Sequence, residues 1–169
     1  MARYINVGVT PKQLTEAMKG ESEARLYYER LIRMAPNKEE AEIISNILED
    51  ELKHFKNFKE LYKKLTGCEP VLLQLKCPTF TNYIEGIEKA ILDELEAYDF
   101  YRDIYLSTRD PYVRDIFFEA LTDENEHAAH LNYLFTKNKC GSIPQPCYMK
   151  QMHMNSMMPG ITYPMCPWQ

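Results

Sequence analysis

One pattern limits what this chain can fold into. In "EDELKHF", residues 49–55, Glu51 and His54 interrupt an otherwise apolar series running Ile44, Ile47, Leu48, Phe55, Phe58, Leu61, Tyr62, Leu65. Steps of three and four mark one buried face of a helix. The series Val113, Ile116, Phe117, Ala120, Leu121, Ala128, Leu131, Leu134, Phe135 is likewise interrupted by Glu124 and His127. Two further stripes carry one acid each: Glu21 among Leu14, Ala17, Met18, Ala24, Tyr28, Leu31 and Ile32, and Glu94 among Ile87, Ala90, Ile91, Ala97, Tyr101, Ile104 and Tyr105. Glu94, Glu124 and His127 follow Glu21, Glu51 and His54 by 73 residues, as do Tyr101 after Tyr28 and Asp123 after Asp50. The chain reads as a helical hairpin written twice.

Proline, glycine and capping residues divide the two copies. Thr10-Pro11 is an N-cap followed by proline at the first helical position, and the pattern it opens runs to about Ala35. Pro36-Asn37 breaks it. A second helix is predicted over 38–65, closed by Gly67, a third over 81–108, and a fourth from Asp110-Pro111 to about Asn138. No segment alternates with period two, so the prediction is all-α. Pro36 lies midway between Glu21 and Glu51, and the turn before Pro111 midway between Glu94 and Glu124. In antiparallel hairpins, residues equidistant from the turn share a height, so the four glutamates are expected at one level. The link over 66–80 can extend roughly 45–50 Å at about 3.3 Å per residue. A 25-residue helix is roughly 37 Å long. The link can therefore cross the whole bundle, which predicts a four-helix bundle with one long crossover between the second and third helices.

Four buried carboxylates at one level cost several kcal/mol each in desolvation and repel one another. Two divalent cations would cancel their charge, with two neutral imidazoles completing the coordination. One glutamate from each of two helices and Glu-x-x-His from the other two is the ligand set of di-iron and di-manganese bundles. The candidate ligands are therefore Glu21, Glu51, His54, Glu94, Glu124 and His127. Carboxylate and imidazole together suit iron or manganese, or a mixed pair; no thiolate favours zinc. Ligating histidines give their second N–H to an acceptor, and Asp50 is expected to hold His127, Asp123 to hold His54, across the bundle. Tyr28 and Tyr101 either fill the core or hydrogen-bond a ligand carboxylate. His130, one turn after His127, reads as a surface histidine or one behind the ligands rather than a ligand, and Glu23, Glu29, Glu96 and Asp99 as solvated faces.

The segments "GESEARLYY" (20–28), "DELKH" (50–54), "ELEAYDFY" (94–101) and "DENEH" (123–127) resemble the rubrerythrin branch of the ferritin-like superfamily over roughly residues 10–138. The resemblance implies a bridged di-iron centre held by the six residues above, reduction of hydrogen peroxide or O₂ there, and a homodimer. It implies carboxylates Glu51 and Glu124 that bridge and shift during turnover. The chain departs from that branch in two respects. Ala97 stands where rubrerythrins carry a further ligand glutamate, and no CxxC pairs are present to build a rubredoxin-type iron site. Electrons are thus expected from a separate donor protein.

The net charge of −5 with no basic block argues against a nucleic-acid partner. No apolar segment spans a bilayer and the N-terminus lacks a leader pattern, which makes a cytoplasmic protein with no membrane partner the expectation. Five cysteines without a CxxC pair do not suggest a disulfide framework. The bundle is expected over 1–139. Residues 140–169 form a tail holding six of the nine methionines, Cys140, Cys147, Cys166, His153 and five prolines. The tail could bind Cu(I) through soft sulfur ligands, or pack its methionines and Trp168 on the bundle or a partner subunit. The functional expectation is a di-iron peroxidase or ferroxidase. Its competitors are a non-catalytic metal-binding or assembly protein and a ferritin-like mineral store.

Overall fold

The computed structural model describes residues 8–71 and 74–140. Four helices account for most of these: α1 (Pro11–Met34), α2 (Lys38–Thr66), α3 (Tyr83–Ser107) and α4 (Pro111–Cys140). No strand occurs among the described residues. The readings made for the tail, copper binding or methionine packing, lie outside the described residues. Among these, no helix is long and apolar enough to cross a membrane.

Each helix begins where a side chain can cap it. Thr10 and Gln13 form a reciprocal capping box at α1. Asn37 accepts from the Glu40 N–H at 3.0 Å, Asn82 from Glu85 at 3.0 Å, and Asp110 from Val113 at 3.1 Å. Gly67 ends α2 at φ 72°, a left-handed conformation that costs glycine little, and its N–H bonds the Lys63 carbonyl at 2.8 Å.

Helix α1 lies beside α2 and α3, and α4 lies beside α3 and α2. Gly8, before α1, meets Thr108 at the end of α3, so α1 and α3 run antiparallel. Glu40 at the start of α2 meets Tyr83 at the start of α3 and Asn138 near the end of α4. Helices α2 and α3 therefore run parallel, as a crossover along the bundle requires. This strap is pinned to α1 by Arg30, whose guanidinium donates to the carbonyls of Pro78 at 2.8 Å and Phe80 at 2.7 Å while stacking on the Phe80 ring. Phe80 tucks into the core.

The apolar interior has two halves. Leu14, Met18, Phe58, Leu61, Ile104 and Phe117 pack toward the α1–α2 open end, and Leu31, Ile44, Ile47, Ile87, Leu131 and Leu134 pack toward the other. Each fully buried side chain of this kind contributes about 1.5–3 kcal/mol. Between the halves lies a layer of acids and histidines. The fold is the all-α four-helix bundle with one long crossover.

Candidate metal centre

Glu21, Glu51, His54, Glu94, Glu124 and His127 are each at most 4% exposed. Their side chains converge from all four helices. Two groups emerge whose ligand atoms lie within 4.8 Å of one another: Glu21, Glu51, His54 and Glu124 form one, and Glu51, Glu94, Glu124 and His127 the other. Glu51 and Glu124 belong to both. Two four-ligand cages thus share two carboxylates.

The imidazoles face inward through Nδ1. His127 Nδ1 is 3.3 Å from oxygens of each of Glu51, Glu94 and Glu124. His54 Nδ1 is 3.5 Å from Glu124 and 3.9 Å from Glu21 and Glu51. Outward, His54 Nε2 lies 3.0 Å from Asp123 Oδ2 and His127 Nε2 lies 3.5 Å from Asp50 Oδ2, each aspartate reaching across from the opposite Glu-x-x-His helix. An Nε2–H given to aspartate leaves an Nδ1 lone pair aimed at carboxylate oxygens. Lone pair against lone pair is unfavourable unless a proton or a cation stands between.

The tyrosines close the cluster. The Tyr28 hydroxyl donates to Glu94 Oε1 and that of Tyr101 to Glu21 Oε1, a pair of short contacts related by the 73-residue repeat. Both rings are also buried in the core. Burial and the facing Glu94 carboxylate push the Tyr28 phenol up, and burial and Glu21 do the same to Tyr101, so both stay protonated donors.

Charge strain runs through the cluster. Burial and repulsion from Glu124 push the Glu51 carboxyl up to about 8, and burial and repulsion from Glu94 push Glu124 to about 8. Burial and Glu51 raise Glu21. Burial would also raise Glu94, but the facing Glu124 and His127 side chains outweigh it and hold Glu94 below its ordinary range. For His54, burial opposes charging, yet Asp123 and Glu124 lift it to about 10. Glu21, Glu51 and Glu124 therefore hold on to protons unless something else supplies positive charge. Four atoms remain without a hydrogen-bond partner despite burial: Glu51 Oε1, His54 Nδ1, Glu94 Oε2 and Glu124 Oε1. All four belong to candidate ligands. Unpaired buried polar atoms that converge on one space fit cations there.

The structure adds residues that the periodicity did not single out. Lys53 lies 2.8 Å from Glu119, 3.6 Å from Asp123 and 3.9 Å from Asp50, bridging the two aspartates behind the histidines. Its counterpart 73 positions later is Glu126, so the second copy has no equivalent cation; reading the repeat beyond the apolar stripe exposes that difference. Glu23, read as a solvated acid, is half-buried and accepts the Lys76 backbone N–H at 2.7 Å, anchoring the strap to α1. Glu29 pairs with Arg25 at the surface, and His130 is exposed beside Glu126. Cys68 and Cys77 are free and exposed.

The rubrerythrin family model matches residues 12–135, which includes all six cluster residues. The chain belongs to the rubrerythrin family. YhjR of Bacillus subtilis (strain 168) is 32% identical over 123 residues, covering 72% of this chain and 83% of YhjR. Among solved structures, a hypothetical protein from Pyrococcus furiosus matches with a TM-score of 0.71 at 20% identity, over 79% of this chain and 92% of that one. A two-domain protein from Anabaena variabilis, with DJ-1/ThiJ/PfpI-like and ferritin-like domains, matches at TM-score 0.64 and 16% identity, over 80% of this chain and 39% of that one. A conserved hypothetical protein from Mycobacterium tuberculosis matches at 0.65 and 14%, over 80% and 92%. At these identities the structural matches speak for the ferritin-like fold. Within the matched span, the chain brings together a buried carboxylate–histidine cluster that could hold metal.

Proposed function

We propose that this rubrerythrin-family chain is an oxidoreductase that reduces hydrogen peroxide or O₂ at a pair of iron ions. One observation carries the reading: of two buried four-ligand groups sharing Glu51 and Glu124, the carboxylates of Glu21, Glu51, Glu94 and Glu124 form the floor of a groove open to solvent between α1 and α3. Glu21 and His54 would hold one ion, Glu94 and His127 the other, and Glu51 and Glu124 both. A ferrous pair supplies two electrons, the number needed to cleave an O–O bond.

The protein's own groups then have distinct tasks. Asp123 and Asp50 fix the imidazoles with Nδ1 inward. Tyr101 and Tyr28 hold Glu21 and Glu94 by their Oε1 atoms and leave the second oxygens free for the cations. The two apolar clusters above and below keep bulk water out of the layer except through the groove. A separate one-electron carrier protein restores the reduced state, and the chain works as a homodimer. A purely structural di-metal site would need no opening to solvent, so the groove favours turnover over a non-catalytic metal-binding or assembly role.

The test is anaerobic. Protein loaded with two ferrous ions per chain is mixed with hydrogen peroxide in a stopped-flow instrument, and remaining peroxide is assayed. One peroxide consumed per two irons, faster than reoxidation by air-saturated buffer, supports peroxide reduction. Undiminished peroxide overturns it. Reaction with O₂ alone would move the assignment to an oxidase or ferroxidase.

A further inference from the structure

The groove between α1 and α3 is far larger than its smallest substrate needs. Its volume is about 690 Å³. Two water-sized oxygens take about 60 Å³ at about 30 Å³ each. Sites for small organic molecules run from about 300 to 1,000 Å³. The space is continuous from the rim, at Lys19, Lys76 and Glu96, down to the carboxylates of Glu21, Glu51, Glu94 and Glu124.

The walls explain the width. Helices α1 and α3 present small residues to one another, Ala17, Gly20 and Ala24 against Ala90 and Ala97. A Cβ placed on Gly20 would meet no atom within 4 Å, so the groove mouth is open space rather than packed interior. Tyr27 and Phe100 supply flat apolar surface, the Tyr27 hydroxyl being turned away to the Gly86 carbonyl at 2.7 Å. The strap forms a third side and is fixed there: the Lys76 N–H bonds Glu23, and the Lys89 ammonium donates to the Thr79 carbonyl at 3.1 Å. Rim charges nearly balance, Lys19, Lys76 and Lys89 against Glu16, Glu23, Asp93 and Glu96. Neither a strong anion nor a cation is selected. The groove offers an apolar sleeve ending in a polar, oxygen-binding floor.

We propose that this groove binds a neutral organic molecule with an alkyl or aryl body and an oxygen head, and that the substrate is an organic hydroperoxide. The body lies between Ala97, Gly20, Tyr27 and Phe100, and the head reaches the carboxylate floor. The reaction cleaves the O–O bond of ROOH. Two electrons, supplied by the reduced site and afterwards replaced by a one-electron carrier protein, and two protons enter; ROH and water leave. This substrate assignment rests on the proposed peroxide chemistry, whereas the binding site does not.

The probes are 2-phenyl-2-propanol, the alcohol product of cumene hydroperoxide, and the two peroxides themselves. Saturation-transfer NMR and a titration of the metal-loaded protein should show saturable binding of the alcohol. Ala97→Phe should weaken it at least tenfold while metal content and helical circular dichroism match the parent. Gly20→Leu, which projects into open space, should do the same should the first variant misfold. In stopped-flow, the rate ratio of cumene hydroperoxide to hydrogen peroxide should fall at least tenfold in either variant. No saturable binding by the parent, or equal binding by both filled-groove variants, overturns the site. Saturable binding lost in the variants, in a protein inert to every peroxide, keeps the site and overturns the oxidoreductase reading instead.

Discussion

His54 Nε2 lies 3.0 Å from Asp123 Oδ2, whereas the repeat-related pair His127–Asp50 stands at 3.5 Å. Asp123 is also the less exposed aspartate, at 23% against 40% for the Asp50 side chain, and Lys53 sits closer to Asp123 than to Asp50. The hydrogen bond from His54, reinforced by the His54 and Lys53 charges, holds the Asp123 carboxyl below its ordinary range. A duplicated sequence has therefore produced two unequal histidine supports. Removing an outer partner of a ligating histidine typically costs about 10–100-fold in metal affinity. Asp123→Asn should fall near the upper end and Asp50→Asn near the lower. Competition titration with a metallochromic chelator measures both, and equal losses would mean that the two supports act alike.

The metal-free protein should lose stability as pH rises. Glu51 and Glu124 titrate near 8 in the fold against 4.5 for an ordinary glutamate, and His54 near 10 against 6.5. Between those values the folded chain binds more protons than the unfolded chain, so each step up in pH favours unfolding. The stabilisation is complete below pH 4.5 for the glutamates and below 6.5 for His54, and is lost by about pH 8 and 10 respectively. Thermal melting after exhaustive chelation should give a lower midpoint at pH 9 than at pH 6. Added Fe(II) or Mn(II) must displace those protons, so the midpoint shift it produces should grow with pH. A metal-free midpoint that climbs between pH 6 and 9 would contradict this account of the cluster.

Tyr28 and Tyr101 should matter more without metal than with it. Each hydroxyl satisfies one oxygen of a buried carboxylate that has little else. Leaving such an acceptor unpaired costs about 1–3 kcal/mol, and in a chain of this size each kcal/mol shifts the midpoint by about 2–4 °C. Tyr101→Phe and Tyr28→Phe should each lower the metal-free midpoint accordingly. With cations neutralising Glu21 and Glu94, the difference from the parent should shrink. Calorimetry of each variant in both states reads the contrast directly.

Much of this arrangement can be read in the sequence because the governing patterns are local. The stripe positions, the turn at Pro36 and the 73-residue offset place Glu21, Glu51, Glu94 and Glu124 at one height without long-range information, and capping residues bound each helix. The α1–α3 groove depends on a lateral spacing between helices, set by Gly20 and Ala97 and by where the strap lies, and periodicity carries no measure of spacing. Gly86 is similar. It looks like a flaw near the start of α3, yet a Cβ there would stand 2.7 Å from Leu31 Cδ1 and 2.9 Å from the Phe80 ring, so the strap's anchor requires a glycine. Lys53 and Glu40 gain their meaning from partners about seventy and a hundred residues away.

Glu40 is a buried acid outside the acid–histidine layer, and it ties three helix ends together. It is 1% exposed. Its carboxylate accepts from Tyr83 at 2.9 Å, Asn138 at 2.8 Å and Asn37 at 3.0 Å, and Lys137 stands at 3.4 Å. Burial would raise its pKa, but hydrogen bonds from Asn138, Tyr83 and Asn37 outweigh burial and hold it down. Its stabilisation is therefore present above the ordinary glutamate value and lost as pH falls below it, opposite in direction to Glu51 and Glu124. Glu40→Ala strands three neutral donors at the junction of α2, α3 and α4 and should cost about 1–3 kcal/mol, the range for leaving a buried polar group unpaired. Glu40→Gln keeps the shape and two acceptor sites and should cost less. Neither touches the acid–histidine layer, so the metal uptake of both should match the parent's once folded. Urea unfolding measures the first effect and elemental analysis the second; a variant that unfolds like the parent would show that Tyr83, Asn138 and Lys137 hold the junction without the carboxylate.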